Sequence, residues 1–197
     1  MIKINNLTKK YKDKLAVDNL NLEIKTGELF SLLGTNGAGK TTTIKMLSTL
    51  ILPTSGEVEI NNLDLVKDSS KIKEIINISP QETAVASNLT VLENLYFMAG
   101  IYQIPNKEDK IKELIKLFKL EEVLKQKAKT LSGGYQRKLS IAISLINNPK
   151  ILFLDEPTLG LDVISRHDLW KVIELLKGKT TIILTTHYME EAEVLSD

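Results

Sequence analysis

Apolar and polar residues alternate along the first third of the chain, and this period of two predicts β-strands. Alternation over residues 17–24 predicts one strand, and the short apolar run over 28–33 predicts a buried strand of a mostly parallel sheet. Residues 40–52 predict a helix that ends before Pro53, and residues 57–65 predict a further strand.

The middle of the chain changes to a helical period. Apolar residues recur at helical spacing from position 88 to about 129, and Thr90 with Glu93 forms a capping box at the start of the first helix. The last third alternates again between helices and strands. Its predicted elements are a helix from about Ser132, a strand over 151–154, a helix around 169–176 and a strand over 181–184. An α/β body with an all-helical insertion accounts for this order.

Composition narrows the class of protein. A chain of 197 residues suits one domain, and the absence of cysteine excludes disulfides and a thiol nucleophile. The net charge of +1 argues against a nucleic-acid partner. Acidic residues interrupt the lysine-rich stretch 107–129, which favours a solvated amphipathic face. No apolar run is long enough to span a membrane.

A glycine-rich segment follows the apolar strand over 28–33. Residues 34–41, GTNGAGKT, match the pattern G-x-x-x-x-G-K-[ST] in full, and they open a predicted helix. In this motif backbone N–H groups surround phosphate oxygens, Lys40 reaches the β- and γ-phosphates, and the Thr41 hydroxyl binds Mg²⁺. The segment therefore predicts nucleotide binding by Gly34, Thr35, Asn36, Gly37, Ala38, Gly39, Lys40, Thr41 and Thr42.

Two carboxylates follow the apolar strand over 151–154. In a protein with a phosphate loop, an acid at this position holds Mg²⁺, and this predicts a metal ligand at Asp155. The neighbouring acid can orient or deprotonate the attacking water, and this predicts a catalytic role for Glu156.

Further motifs resemble those of the ABC ATPases. Residues 131–136, LSGGYQ, are similar to the family's LSGGQ signature, and residues 160–162, GLD, resemble its D-loop. Tyr11 stands where the family's adenine-stacking aromatic is expected, Gln81 resembles the Q-loop glutamine, and His187 resembles the switch histidine. Residues 138–142 and 186–192 look most like ABC-2-type drug and lipid exporters and the A subfamily.

The resemblance implies a fold and a set of roles. The fold would be a P-loop ABC cassette in which a mostly parallel sheet carries an antiparallel N-terminal β part and a helical insertion. Residues 1–197 would form one ATPase domain, with a core of 1–81 and about 131–197 and a helical subdomain of about 82–130. The catalytic residues would be Glu156, His187 and Gln81. The nucleotide site would gain Tyr11 and Val17, and the metal site Thr41, Gln81 and Asp155. The residues acting from a second subunit would be Ser132, Gly133, Gly134 and Asp162.

The implied function is an ATP-hydrolysing subunit of a membrane exporter, using ATP and Mg²⁺. Its partners would be a second ATPase subunit in a head-to-tail homo- or heterodimer, and a transmembrane permease engaged through residues 82–104. It would lie in the cytoplasm at the inner face of the membrane, attached through that permease. The alternatives are a soluble non-transport ABC ATPase and a non-catalytic module that dimerises with ATP. Relatives usually continue past the last residues with further strands, so we expect a truncated cassette.

Overall fold

The computed structural model describes all residues from Met1 to Asp197 and contains two four-stranded sheets. The strands, in chain order, are β1 (Ile2–Tyr11), β2 (Lys14–Ile24), β3 (Leu29–Leu33), β4 (Ser55–Ile60), β5 (Leu63–Asp64), β6 (Ile76–Ser79), β7 (Ile151–Asp155) and β8 (Thr181–Thr186). The helices are α1 (Lys40–Leu47), α2 (Ser69–Ile75), α3 (Val91–Ile101), α4 (Lys107–Phe118), α5 (Gly133–Ser144), α6 (Val163–Glu174) and α7 (Met189–Leu195). Two 3₁₀ turns lie at Glu121–Val123 and Ala128–Thr130.

The two sheets differ in direction. The first has the order β2-β1-β4-β5, and all its strand pairs are antiparallel. The second has the order β3-β8-β7-β6, and all its pairs are parallel. The predicted α/β fold with a parallel core and an antiparallel N-terminal part is therefore confirmed.

The central strands of the parallel sheet are buried along their whole length. Every residue of β7 and β8 is buried, so both faces of the sheet are covered. Successive side chains point to opposite faces. Leu152 and Leu154 pack in a cluster with α3, α4, α5 and α6, whereas Phe153 packs on the other face with α1 and the antiparallel sheet.

Several predicted boundaries were wrong, and turn chemistry explains two of them. The helix predicted over 40–52 ends at Leu47, where Ser48 caps it and Thr49 takes a positive φ of 61°. The strand predicted over 57–65 is a hairpin, because Asn61 and Asn62 both adopt positive φ and reverse the chain.

One helix is longer in the structure than predicted, and three short elements were not predicted. Helix α6 begins at Val163, earlier than the prediction of about 169, because Asp162 caps it. Helices α2 and α7 are only 7 residues each and β6 is 4 residues, too short for a clear period. The capping box is confirmed, since Thr90 and Glu93 exchange hydrogen bonds at the start of α3.

No helix is both long enough and apolar enough to cross a lipid bilayer.

Gly56 is required by close packing between β4 and β1. Its φ is +93°, and a Cβ atom there would lie 2.4 Å from the carbonyl oxygen of Asn6. We expect Gly56→Ala to lower the free energy of unfolding by about 2 kcal/mol or more, measured by urea denaturation. The control Gly100→Ala lies in α3 with open space around it, and should raise stability by roughly 0.5–1 kcal/mol. Equal effects of the two substitutions would contradict this account.

Candidate active site

The glycine-rich loop is built where β3 meets α1. Leu33 pairs with Thr186 of β8, and the Gly34 N–H donates to the Thr186 carbonyl at 3.2 Å, which fixes the start of the loop against the sheet. Gly37 and Gly39 have φ values of 85° and 86°. A Cβ on Gly39 would lie within 2.3 Å of a backbone oxygen of β2. Only glycine fits there, so the loop brings its N–H groups together at the N-terminus of α1.

Lys40 is a buried cation inside this loop. Its Nζ donates to the carbonyl oxygens of Gly34 at 2.6 Å and Thr35 at 3.1 Å. It also forms an ion pair of 3.1 Å with Glu156 Oε1, and both side chains are less than 10% exposed. A buried ion pair is stable only when further hydrogen bonds satisfy its members, and the two carbonyl groups fulfil that condition for Lys40.

Asp155 lies at the end of β7 and contacts two hydroxyl groups. Its Oδ1 accepts from Thr185 Oγ1 at 2.6 Å and from Thr41 Oγ1 at 3.1 Å. The parallel register places Asp155 opposite Thr185, and α1 supplies Thr41. Carboxylate and hydroxyl oxygens are suitable ligands for Mg²⁺, which usually binds one or two protein groups together with substrate phosphates.

Glu156 connects the phosphate loop to His187. Its Oε1 pairs with Lys40, and its Oε2 accepts from His187 Nδ1 at 2.6 Å. Its N–H donates to both the backbone carbonyl and the hydroxyl of Thr185. Its φ of 49° is unusual for a residue with a side chain, and such strain is concentrated at functional sites. The carboxylate is thus fixed between a cation and an imidazole.

These groups open into a cleft of about 450 Å³. Most of the residues around it are polar or belong to the glycine-rich loop. They are Tyr11, Lys14, Ala16, Asn36, Gly37, Ala38, Gly39, Lys40, Thr41, Thr42, Gln81, Glu156, Leu159 and His187. The cleft therefore combines phosphate-binding backbone, two lysine side chains, one carboxylate and one imidazole.

Some of the residues predicted for the nucleotide and metal sites line this cleft, and others lie behind it. Tyr11 is 45% exposed at its edge, with Lys9 Nζ 5.1 Å from the ring centre, and Gln81 also lines it. Gly34 and Thr35 do not line the cleft, and their carbonyl groups accept hydrogen bonds from Lys40. Val17 lies outside the cleft and packs behind the loop against Gly39, so the prediction that Val17 lines the site is not matched by its position.

The residues predicted to act from a second subunit lie at the N-termini of α5 and α6. Ser132 caps α5 and Asp162 caps α6. Hydrogen bonds from the Ser165 side chain and N–H lower the pKa of the Asp162 carboxyl. A Cβ on Gly134 would lie 2.9 Å from Ser165 Oγ, so the two helix ends are neighbours. None of these residues, nor Gly133, lines the cleft of its own chain.

Arg137 is a site residue that the sequence analysis missed. It is 4% exposed, and its guanidinium donates to the carbonyl oxygens of Pro80, Asp155 and Pro157. Burial lowers its pKa to about 10, while the Asp155 and Glu191 carboxylates raise it, so it stays charged at neutral pH. The sequence feature that could have indicated this role is a charged residue on the apolar face of α5.

A phosphate loop between strand and helix, with acidic residues on a neighbouring parallel strand, defines the P-loop nucleoside triphosphatase class. The family model described as ABC transporter matches residues 17–159. This chain therefore belongs to the ABC transporter family, and it is an ABC ATPase domain.

Curated relatives are larger than this chain. The chain is 42% identical over 202 residues to the human "Phospholipid-transporting ATPase ABCA3", covering 100% of itself and 12% of that protein. It is 39% identical over 196 residues to the "Probable multidrug ABC transporter ATP-binding protein YbhF" of Escherichia coli, covering 98% of itself and 34% of that protein. The chain thus spans about an eighth to a third of these relatives.

Solved structures match the whole fold. A dimeric ATP-binding cassette in a post-hydrolysis state, bound to ADP and Pi, has a TM-score of 0.87 and 32% identity. The match covers 98% of this chain and 91% of that one. A dimeric bacterial ABC transporter cassette gives a TM-score of 0.86 with the same identity and coverage.

The backbone carbonyl groups bound by Arg137 give a test of its role. Lysine keeps the charge, but its single ammonium nitrogen cannot reach all the carbonyl groups that the guanidinium contacts through three separate nitrogens. We therefore expect Arg137→Lys to cost roughly 2–4 kcal/mol of unfolding free energy. The control is Arg166→Lys, because Arg166 lies over the Tyr188 ring and should lose less than about 1 kcal/mol. Urea denaturation of both variants measures the difference. A cost for Arg137→Lys no larger than the control's would refute the role.

Proposed function

We propose that this domain binds ATP with Mg²⁺, hydrolyses it and thereby powers a membrane exporter. The observation that carries the proposal is the position of Glu156. It lies between Lys40 of the phosphate loop and His187, next to Asp155, inside a cleft with room for a nucleotide. Catalysis of phosphoryl transfer depends mainly on such positioning of charges around the reacting phosphate.

Each part of ATP has matching groups in the cleft. The loop N–H groups and Lys40 would bind the phosphates, and the exposed ring of Tyr11 would stack on the adenine. Phosphate oxygens would then replace the carbonyl groups and Glu156 as partners of Lys40. That exchange would free the Glu156 carboxylate to act on water while His187 donates to the γ-phosphate.

The same region suits Mg²⁺. Thr41 Oγ1 and Asp155 Oδ1 lie 3.1 Å apart, and Gln81 lines the same cleft. No cluster of three or more His, Cys, Asp or Glu side chains could hold a metal ion by itself. These residues therefore fit a cation that is held jointly by the protein and the nucleotide. When bound, Mg²⁺ would neutralise charge on the phosphates.

We propose that a second subunit completes the site. Ser132, Gly133, Gly134 and Asp162 lie away from the cleft of their own chain, so they can reach a nucleotide only in a partner molecule. Both solved neighbours described above are dimers. A head-to-tail pair, formed by two copies or by a related subunit, would place these residues over the γ-phosphate of the opposite cleft.

We further propose that residues 82–130 form a helical subdomain on a core of 1–81 and 131–197, and that its surface engages a transmembrane permease. Helix α3 and the residue after it expose four large apolar side chains, which are Tyr96, Phe97, Ile101 and Tyr102. An exposed apolar group of this kind is typical of a protein interface. The domain would then work in the cytoplasm, at the inner face of the membrane.

Glu156→Gln tests the catalytic assignment. The amide keeps the shape of the side chain but cannot accept a proton, so we expect ATP turnover to fall by about 10²–10³-fold. ATP binding should remain, and a nucleotide-bound dimer should accumulate, measured by light scattering. The control Glu193→Gln changes an exposed acid on α7 and should turn over ATP normally. Unchanged turnover in Glu156→Gln would contradict the assignment, and absence of turnover in the unmodified chain would favour a non-catalytic module.

Phe97→Asp tests the permease surface. Phe97 is 54% exposed on α3, so an aspartate there should be tolerated by the fold but should oppose burial against an apolar partner surface. We expect co-purification with the membrane partner to be lost while ATP hydrolysis by the isolated chain is unchanged. The control Leu52→Asp alters an apolar residue outside α3 that is 65% exposed. Loss of co-purification in both variants, or in neither, would overturn this surface.

A further inference from the structure

Glu191 is a fully buried acid outside the cleft. It lies in α7, four residues after His187, with an exposed fraction of 0%. Its Oε1 accepts two hydrogen bonds of 2.8 Å, from Thr158 Oγ1 and from Trp170 Nε1. Its Oε2 has no hydrogen-bond partner. Burying a carboxylate with so few donors costs folding free energy, so its presence calls for a compensating role.

The hydrogen bond to Thr158 joins the two chain segments that carry the catalytic side chains. Thr158 comes two residues after Glu156, and Glu191 comes four residues after His187. Glu156 and His187 contact each other directly at 2.6 Å. The two segments are therefore fastened at two points, once by the catalytic pair and once by Thr158 with Glu191.

The segment that carries Glu156 has a second buried side-chain contact. Arg137 donates to the carbonyl oxygen of Pro157, the residue between Glu156 and Thr158. The Glu191 carboxylate raises the pKa of Arg137, so the two buried charges favour each other. Residues 157 and 158 thus contact two buried side chains, those of Arg137 and Glu191.

The hydrogen bond to Trp170 has a different consequence. Trp170 lies in the middle of α6, and its ring packs edge-on against His167 at 4.7 Å. This bond ties α7 to the body of α6 without contacting residues 156–158. Oε1 of Glu191 therefore accepts one hydrogen bond from the segment that carries Glu156 and one from α6.

We infer that Glu191 is a positioning residue for ATP hydrolysis, acting through Thr158 to set the geometry of the Glu156–His187 pair. The inference rests on the proposed ATPase function. A small displacement of that pair would lower the rate of the chemical step, because catalysis requires alignment within a fraction of an ångström. ATP affinity would be preserved, since none of Glu191, Thr158 and Trp170 lines the cleft.

Two substitutions separate positioning from simple stabilisation. Thr158→Val keeps the side-chain shape and removes only the bond to the catalytic segment, whereas Trp170→Phe removes the bond to the scaffold. We expect Thr158→Val to lower kcat about tenfold with unchanged ATP affinity, and Thr158→Ser to restore it. Trp170→Phe should lower stability but keep kcat within about twofold. Equal losses of kcat in Thr158→Val and Trp170→Phe, or no rescue by serine, would overturn the inference.

A spectroscopic measurement makes the test independent of turnover. The chain has only two histidines, His167 and His187, so each imidazole gives a resolvable NMR signal. At one fixed pH, Thr158→Val should shift the His187 signal and leave that of His167 in place. Trp170→Phe should shift the His167 signal and leave that of His187 in place, because Trp170 contacts His167. An unmoved His187 signal in Thr158→Val would refute the positioning role.

The two experiments also distinguish this inference from the proposed function. If the unmodified chain hydrolyses no ATP, the proposed function fails, while the shift of the His187 signal still decides whether Glu191 positions the pair. If the unmodified chain hydrolyses ATP and Thr158→Val matches it, only the positioning role fails.

Discussion

The site depends on one buried carboxylate, that of Glu156, placed between Lys40 and His187. Neither the cation nor the acid could be buried alone without a large desolvation cost. The two loop carbonyl groups on Lys40 and the Thr185 groups on the Glu156 backbone satisfy the surrounding polar atoms. Because each contact comes from a different segment, the network forms only when the parallel sheet has its correct order and register.

The order β3-β8-β7 supplies that register. Three neighbouring strands end at the same edge, so the phosphate loop, His187 and the two acids emerge side by side. The hydroxyl of Thr185 contacts both Asp155 and the Glu156 backbone, which makes β8 the central element of the site. The full burial of β7 and β8 excludes water from these contacts and so strengthens them.

Arg137 and Glu191 extend this network into the helices. Arg137 in α5 binds the backbone carbonyl groups of the residues on either side of Glu156, and Glu191 in α7 binds Thr158 just after them. The helix that begins with the Ser132–Gly134 segment is thereby joined to the hydrolysis site of its own chain. In the proposed dimer, this gives a physical route between one cleft and the residues presented to the other.

The sequence by itself determined the fold class, the phosphate loop and the acidic strand end, because each is a local pattern of neighbouring residues. It also predicted most strands of the parallel sheet from their unbroken apolar runs. It did not predict the hairpin at Asn61, the short α2 and α7, or the position of Val17 behind the loop. Turn conformation and side-chain packing determine these features, and the spacing of apolar residues along the sequence does not indicate them.

Only the tertiary structure decided which polar residues meet. Arg137 and Glu191 look like ordinary helix residues in the sequence, and their partners lie 20 and 33 positions away at Pro157 and Thr158 respectively. Burial selects such contacts, because a charge withdrawn from water must find donors or acceptors wherever the fold provides them. The residue types of the site could be predicted from local patterns, whereas the geometry that positions them is a property of the folded chain.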